Sequence, residues 1–461
     1  MLNYFEESTI INSRLPAEWR SPSALDEFSQ FLQFNWEQRS VFYEDNIVTS
    51  RQQLISFTGQ SGIRTGRHIG TIVFKGTQLN IFPKMFRTEK EDHDTGELKL
   101  PHLMKNLIQW IEHCTRFEYP YINIKSNLDD LNDLRELFIT LYIRYVKAAI
   151  DHSLFYQYED KTEDCATIKG RIDIRDFVCT KIASGNADRL LCTYSSFELD
   201  NELNRILKHT CKLLSTEVSG ANQRLLRTIL IKLNEVSDKK CTPSDCDTIK
   251  LSRIHGNYRM ILSMSKMFML NQTSTFELDT SESFCFLFPT DYLFEGFIGG
   301  FMQSVLHGKA KVRLQASEVP LVEDVIIEGR SSGRAFTMRH DILVEHREKG
   351  LFILDTKYKG ISRIKDNPDA SQKIIQEINQ PDLNQMFTYA IKRDVNKIYL
   401  LYPMYRFENE EDTVPQLVIA FTVDGIAHNL TVHIIRLPFI FEDDVDLTIS
   451  RLTSVINSIF A

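Results

Sequence analysis

The stretch RHDILVEHREKGLFILDTKYKG, residues 339 to 360, constrains the fold of this chain more than any other. It reads as two strands, DILVE at 341–345 and LFILD at 351–355, joined by the polar loop HREKG, whose Gly350 suits a hairpin turn. If Glu345 pairs with Leu351, each step back on one strand is a step forward on the other, and Asp341 falls opposite Asp355. Directly opposed residues on one face of a sheet have Cβ atoms about 4.5–5.5 Å apart. Two carboxylates at that spacing repel, so the pattern asks for something positive between them. Side chains alternate along a strand, which puts Lys357 on the face of the two aspartates and leaves the Thr356 side chain on the other.

Both carboxylates can reach one hard cation, Mg2+ or Mn2+, since magnesium takes oxygen ligands at about 2.0–2.1 Å. Asp341 and Asp355 are therefore the expected metal ligands, with the Thr356 carbonyl as a further one. Lys357 can then stabilise charge on a phosphate or orient a water, while the metal acidifies that water and polarises phosphorus. The combination suits phosphodiester hydrolysis. Downstream, QPDLNQMFTYAIKR has Pro381 at a helix start and an apolar face of Leu383, Met386, Phe387, Ala390 and Ile391. Gln385 and Tyr389, four apart, form a polar strip beside that face, able to meet a phosphate backbone or brace the lysine. A D-x-K triplet alone is usually a solvated strand end. The opposed Asp341, the apolar LFIL run and the helix that follows raise catalysis above that reading.

At 461 residues the chain exceeds one typical core. The fold class expected is α/β and multidomain: a β-rich N-terminal domain over residues 1–100, a mainly helical region over 101–270, and a C-terminal α/β domain with a mixed sheet over 271–461. Ile69–Phe74 and Gln78–Phe82 alternate around KGT as a hairpin that Pro83 stops, and the charged stretch 87–101 reads as a surface connection. Helical faces follow at Leu103, Leu107, Trp110 and Ile111, at Leu134 to Tyr145, over 200–214 with Asp200 as cap, and over 221–236. Thr290 is placed to cap a helix whose apolar face is Phe294, Phe297, Ile298, Phe301 and Val305. Strand-like runs then recur at KVRLQAS, DILVE, LFILDTK, KIYLLYP and QLVIAFTV.

Several function classes drop out. A net charge of -8 argues against coating the whole surface with nucleic acid, without excluding a local basic groove. Eight scattered cysteines form no CxxC pair; Cys241, Cys246 and His255 fit no common zinc spacing, so reduced core residues are expected. No G-x-x-x-x-G-K-[ST] loop exists, and HGKA at 307–310 lacks both the first glycine and the hydroxyl residue. The opening MLNYFEESTIINSRLPAEWR is broken by charges and no run of about eighteen apolar residues occurs, so a cytoplasmic protein without membrane contact is expected.

Asp341, then D-T-K at 355–357, then Gln385 and Tyr389 resemble the PD-(D/E)xK nucleases, particularly those with a trailing Q-x-x-x-Y helix. His340 stands where that motif has proline. Glu295, in LFEGF, resembles the additional helical acid of many such enzymes and would be a further metal ligand. More narrowly, MRHDILVE and LFILDTKYK, with GTQLNIFPKMF, KGRIDI and FELDNELNRILK upstream, look like the McrC family, the nuclease subunit of McrBC modification-dependent restriction systems. The resemblance runs from about residue 60 to 400. It implies a subunit without its own NTPase that docks on a hexameric AAA+ GTPase, McrB, through an N-terminal β domain, stimulates its GTP hydrolysis and cuts double-stranded DNA carrying modified bases. One nuclease site per chain further implies that two subunits come together for a double-strand break. The rival expectation is a non-enzymatic adaptor that only binds and activates an NTPase ring, and another is a nuclease of a different defence or repair system.

Overall fold

The computed structural model describes residues 2–37, 51–58, 62–87, 100–114, 134–182, 189–252, 255–256, 258–277, 284–317, 319–327, 330–331, 333–360, 380–405, 416–423, 426–441 and 444–461. They form two compact units, residues 1–134 with 281–461 and residues 135–280. The charged connection read at 87–101 lies, over 88–99, outside the described residues.

The first unit begins with β1 (Leu2–Phe5), β2 (Thr9–Ile11), α1 (Pro22–Glu37), β3 (Ile55–Phe57), β4 (Gly62–Thr65), β5 (His68–Phe74) and β6 (Thr77–Phe82). β5 and β6 are the hairpin legible in the sequence, paired antiparallel from Gly70 opposite Ile81 to Phe74 opposite Thr77. The chain then forms α2 (Leu100–His113) and, after the second unit, re-enters as β7 (Phe284–Pro289), which pairs antiparallel with β5. A four-stranded sheet of order β1-β6-β5-β7 results, beside a three-stranded sheet β2-β4-β3. Trp19, Phe28, Phe31 and Phe74 fill the core against α1, where buried aromatics supply most of the apolar area.

From β7 the chain enters α3 (Thr290–Val305), then β8 (Ala310–Ala316), β9 (His340–His346), β10 (Gly350–Thr356), α4 (Gln380–Arg393), β11 (Lys397–Pro403), β12 (Gln416–Val423), β13 (Ile426–Leu437) and α5 (Val445–Ile459). The six strands order as β8-β9-β10-β11-β13-β12. β9 is antiparallel to β8 and β10, β11 is parallel to β10 and β13, and β12 is antiparallel to β13. This is the mixed sheet expected, and the fold is α/β. Helix α2 is fastened to the segment leaving β13: the Trp110 indole stacks on Phe439 at 4.1 Å and donates to its carbonyl at 2.9 Å, while Asn106 exchanges two hydrogen bonds with the Phe441 backbone.

Thr290 does not cap α3. It is the first residue of the helix, fully buried, and its hydroxyl donates to Glu6 Oε2 at 2.7 Å.

The second unit holds the helix Leu134–His152 from its second residue on, the helices Glu202–Leu214, Gly220–Lys232 and Tyr258–Glu277, and a three-stranded antiparallel sheet of Gln157–Cys165, Leu190–Glu198 and Arg171–Ile172. That sheet escapes a hydropathy reading because QYEDKTEDC is charged along its length. The helix at 202 is capped by Asn201, whose side chain accepts from the Asn204 amide, and not by Asp200, which pairs instead with Arg205 Nε at 2.7 Å. The cysteines are free thiols, all buried except Cys179. Among the described residues no helix is long and apolar enough to cross a membrane.

Two glycines separate close approach from simple backbone preference. Gly70, in β5 at φ +138°, has the Phe286 carbonyl of β7 where a Cβ would stand, only 2.0 Å away, whereas Gly350, at φ +87°, opens on empty space. Gly350→Ala should cost about 1 kcal/mol from the left-handed backbone alone. Gly70→Ala must also push two paired strands apart and should cost more than about 2 kcal/mol in denaturant unfolding. Equal losses would contradict the packing described.

Candidate active site

β10 lies in the middle of the six-stranded sheet because LFIL is apolar on both faces; Ile353 and Leu354 are completely buried. Its register with β9 puts Glu345 opposite Leu351 and Ile342 opposite Leu354, which carries Asp341 to the position facing Asp355. The strands run one residue further towards the turn than the sequence suggests, His346 pairing with Gly350, so the loop is Arg347–Lys349. On the other side β10 is parallel to β11, with Asp355 opposite Leu400.

Leu343 and Ile353 belong to the core that includes Met386 and Tyr389 of α4, and the two aspartates share their face by strand alternation. Asp355 is 1 % exposed; both its oxygens are shut off from solvent and neither accepts a well-aligned hydrogen bond. Lys357 Nζ approaches Oδ2 to 2.6 Å as its counter-charge. Asp341 is half-buried, and its Oδ2 accepts from the Thr356 amide and hydroxyl, each at 2.9 Å. The Thr356 side chain thus reaches Asp341 rather than turning wholly to the opposite face, because Thr356 ends the strand.

Burial, then the facing Asp341 charge, push the Asp355 carboxyl up to about 7 despite Lys357. Burial by itself would lower the Lys357 pKa, but the Asp355 and Asp382 carboxylates outweigh it and hold it above the ordinary lysine range, so Lys357 is a cation. Asp382, in the first turn of α4, lies 3.5 Å from Lys357 Nζ and 2.6 Å from Lys359 Nζ. Sequence reasoning passed over it. The available signal was an acid directly after Pro381 at a helix N-terminus, where negative charge is favoured.

Gln385 and Tyr389 do come together, Gln385 Nε2 donating to the Tyr389 hydroxyl at 2.8 Å. Their further bonds run to the strand of the first aspartate rather than to the lysine: the Tyr389 hydroxyl donates to the Arg339 carbonyl at 2.5 Å, and its ring stacks on His340 at 4.3 Å. Burial lowers the His340 pKa, which keeps the stacked imidazole neutral. Glu295 is half-buried on α3. Among the described residues no three His, Cys, Asp or Glu side chains surround a common metal position.

The site is a pair of opposed carboxylates, one with both oxygens buried and no aligned hydrogen bond, with Lys357 ion-paired to it and hard oxygen donors beside it. This donor set fits a hard divalent cation, which would satisfy the orphaned oxygens and relieve the repulsion between the acids.

The family model described as McrBC 5-methylcytosine restriction system component matches residues 63–403, most of the chain, and the chain belongs to that family. Among solved structures it is similar to a chain of the refined half-complex from the tetradecameric assembly of Thermococcus gammatolerans McrB AAA+ hexamers with bound McrC, at 14 % identity over 99 % of both chains and a TM-score of 0.57. That likeness shows a shared fold. A chain of the cryo-EM structure of the T. gammatolerans McrBC complex matches at 15 % identity, covering 68 % of this chain and 89 % of that one, with a TM-score of 0.44. No curated protein matches.

The raised Asp355 carboxyl sets a pH dependence. Between its ordinary 3.8 and about 7 the folded chain holds a proton that the unfolded chain has released, so this group makes stability fall as pH rises through that window. In EDTA, Asp355→Asn should melt higher than the parent at about pH 8, and the gap should close towards about pH 4. A gap that stays constant with pH would contradict a buried, proton-holding Asp355.

Proposed function

We propose that this chain is the metal-dependent DNA endonuclease subunit of a McrBC-type system, a PD-(D/E)xK phosphodiesterase using Mg2+ or Mn2+. It acts in the cytoplasm on double-stranded DNA carrying modified bases such as 5-methylcytosine. It does so docked on a hexameric AAA+ GTPase of McrB type, whose GTP hydrolysis it stimulates. The observation that carries the nuclease reading is Asp355: a buried carboxyl that faces a second acid, with Lys357 as its close counter-charge, stays raised to about 7, which favours a further positive charge between the two acids. For the partner, the support is family membership together with a shared fold with a chain from an assembly of McrB AAA+ hexamers with bound McrC.

Asp341 and Asp355, with the Thr356 carbonyl, would hold the cation, which when bound supplies an acidified water and neutralises charge on the phosphate. Lys357, paired with Asp355 and Asp382, is positioned to bind a phosphate oxygen and steady the attacking water. Asp382 aligns Lys357 and Lys359 on the same side of α4, giving the acidic site a basic edge towards the DNA backbone. Gln385 and Tyr389 fix the Arg339–His340 segment and through it the strand that carries Asp341. With one such site per chain, cutting both strands calls for two subunits.

The test is cleavage of methylated and unmethylated plasmid by the chain co-expressed with its AAA+ partner, with GTP and Mg2+. Asp355→Ala and Lys357→Ala should each lower cleavage by about 100-fold or more while still stimulating GTP hydrolysis. Variants that cut like the parent would make the hairpin structural and the chain an adaptor.

A further inference from the structure

Glu6 follows β1 in the first tight turn of the chain and is fully buried. A buried carboxylate is costly unless its oxygens are bonded, and this one is satisfied from three remote segments. Oε1 accepts from the Lys84 amide at 3.0 Å and from the Tyr358 hydroxyl at 2.6 Å, and Oε2 accepts from the Thr290 hydroxyl at 2.7 Å. Lys84 Nζ, paired with Glu7 at 2.7 Å, stands 5.2 Å from the centre of the Tyr358 ring. The donor Tyr358 is 352 residues away in sequence and immediately follows Lys357.

Just past the strand end these two neighbours part: Lys357 turns towards Asp355 and Asp382 of α4, and Tyr358 packs beside Phe294 of α3 at 5.7 Å and Phe439 at 6.4 Å. Asp341 and Asp355 stand on the paired strands β9 and β10, and Asp341 is held further by the Thr356 amide and hydroxyl. Lys357 lies just past the end of β10, its backbone tied by its amide to the Leu401 carbonyl at 2.8 Å and by its carbonyl to the Lys359 amide at 2.8 Å. The adjoining anchor that reaches into the core is the Tyr358 side chain, and its polar end is fixed by Glu6.

We propose that Glu6 and Tyr358 are positioning residues of the nuclease site, fixing the backbone of Lys357 so that the N-terminal segment controls the lysine without touching it. The inference rests on the nuclease reading above. It separates two functions at the site: the two aspartates seat the metal from their own strands, and the lysine is the group that depends most on Glu6.

The experiment is single-turnover cleavage of methylated plasmid by the full chain with its AAA+ partner, GTP and Mg2+, alongside Mg2+-induced thermal shift and partner GTP hydrolysis. Tyr358→Phe, which removes one hydroxyl, should slow cleavage about tenfold and Glu6→Ala about 100-fold, the scale set by a reacting group displaced by about 1 Å. Glu6→Gln, which keeps an oxygen acceptor, should recover most of the rate. The Mg2+ shift and GTP hydrolysis should stay at parental values. In a Lys357→Ala background neither change should cost more than about twofold further, because residues acting through one group are non-additive. Parental cleavage rates in Tyr358→Phe, a lost Mg2+ shift, or losses that multiply with Lys357→Ala would each overturn the proposal. If Glu6→Ala does not fold, Tyr358→Phe decides alone. If Lys357→Ala and Asp355→Ala cut like the parent, the nuclease reading itself fails; if they are inactive while Tyr358→Phe is unaffected, only the positioning role fails.

Discussion

The central constraint of this structure is a pair of carboxylates, Asp341 and Asp355, that strand register holds face to face. Pairing between β9 and β10 fixes the distance between Asp341 and Asp355, and the apolar LFIL run buries the second of them, so repulsion and desolvation act on one group. Neighbouring features of the first unit serve that pair. Lys357 and Asp382 extend it into a line of alternating charge, the Thr356 amide and hydroxyl load one oxygen of Asp341, and α4 covers the face on which both acids stand. Replacing such a buried charged group by an apolar one is often neutral or stabilising, so fold stability does not explain its presence.

The hairpin was legible because its register follows from strand period and loop length alone, and a single pairing, Glu345 with Leu351, determines the rest. The β5–β6 hairpin and the helices with apolar faces were legible for the same local reason. What was missed depends on long-range partners. Thr290 looks like a cap in sequence, yet a carboxylate from residue 6 claims its hydroxyl; Asp200 looks like a cap, yet Arg205 and Ser237 claim it and Asn201 takes the role. Asp382 was hidden in plain view, since its meaning requires Lys357 and Lys359 to arrive from a strand more than twenty residues earlier. The charged sheet of the second unit has no hydropathy period to read.

The N-terminal strands belong to the same compact unit as the acidic hairpin. β7 extends the N-terminal sheet before the chain enters α3, α2 is hydrogen-bonded to the segment after β13, and Glu6 meets Tyr358 beside the candidate lysine. A perturbation at the first turn of the chain therefore has a short physical route to the site, through a buried polar joint whose bonds are each shorter than about 3.1 Å, the ordinary range for strong hydrogen bonds.

The most direct test of the account is calorimetric titration of the chain with Mg2+ at about pH 7 in two buffers of different ionisation enthalpy. With its carboxyl raised to about 7, Asp355 is partly protonated at that pH, so saturable binding is expected to release protons, seen as a heat that changes with the buffer, and to be lost in both Asp341→Asn and Asp355→Asn. Binding that persists unchanged in either variant, or releases no proton, would contradict the opposed aspartates as the metal seat.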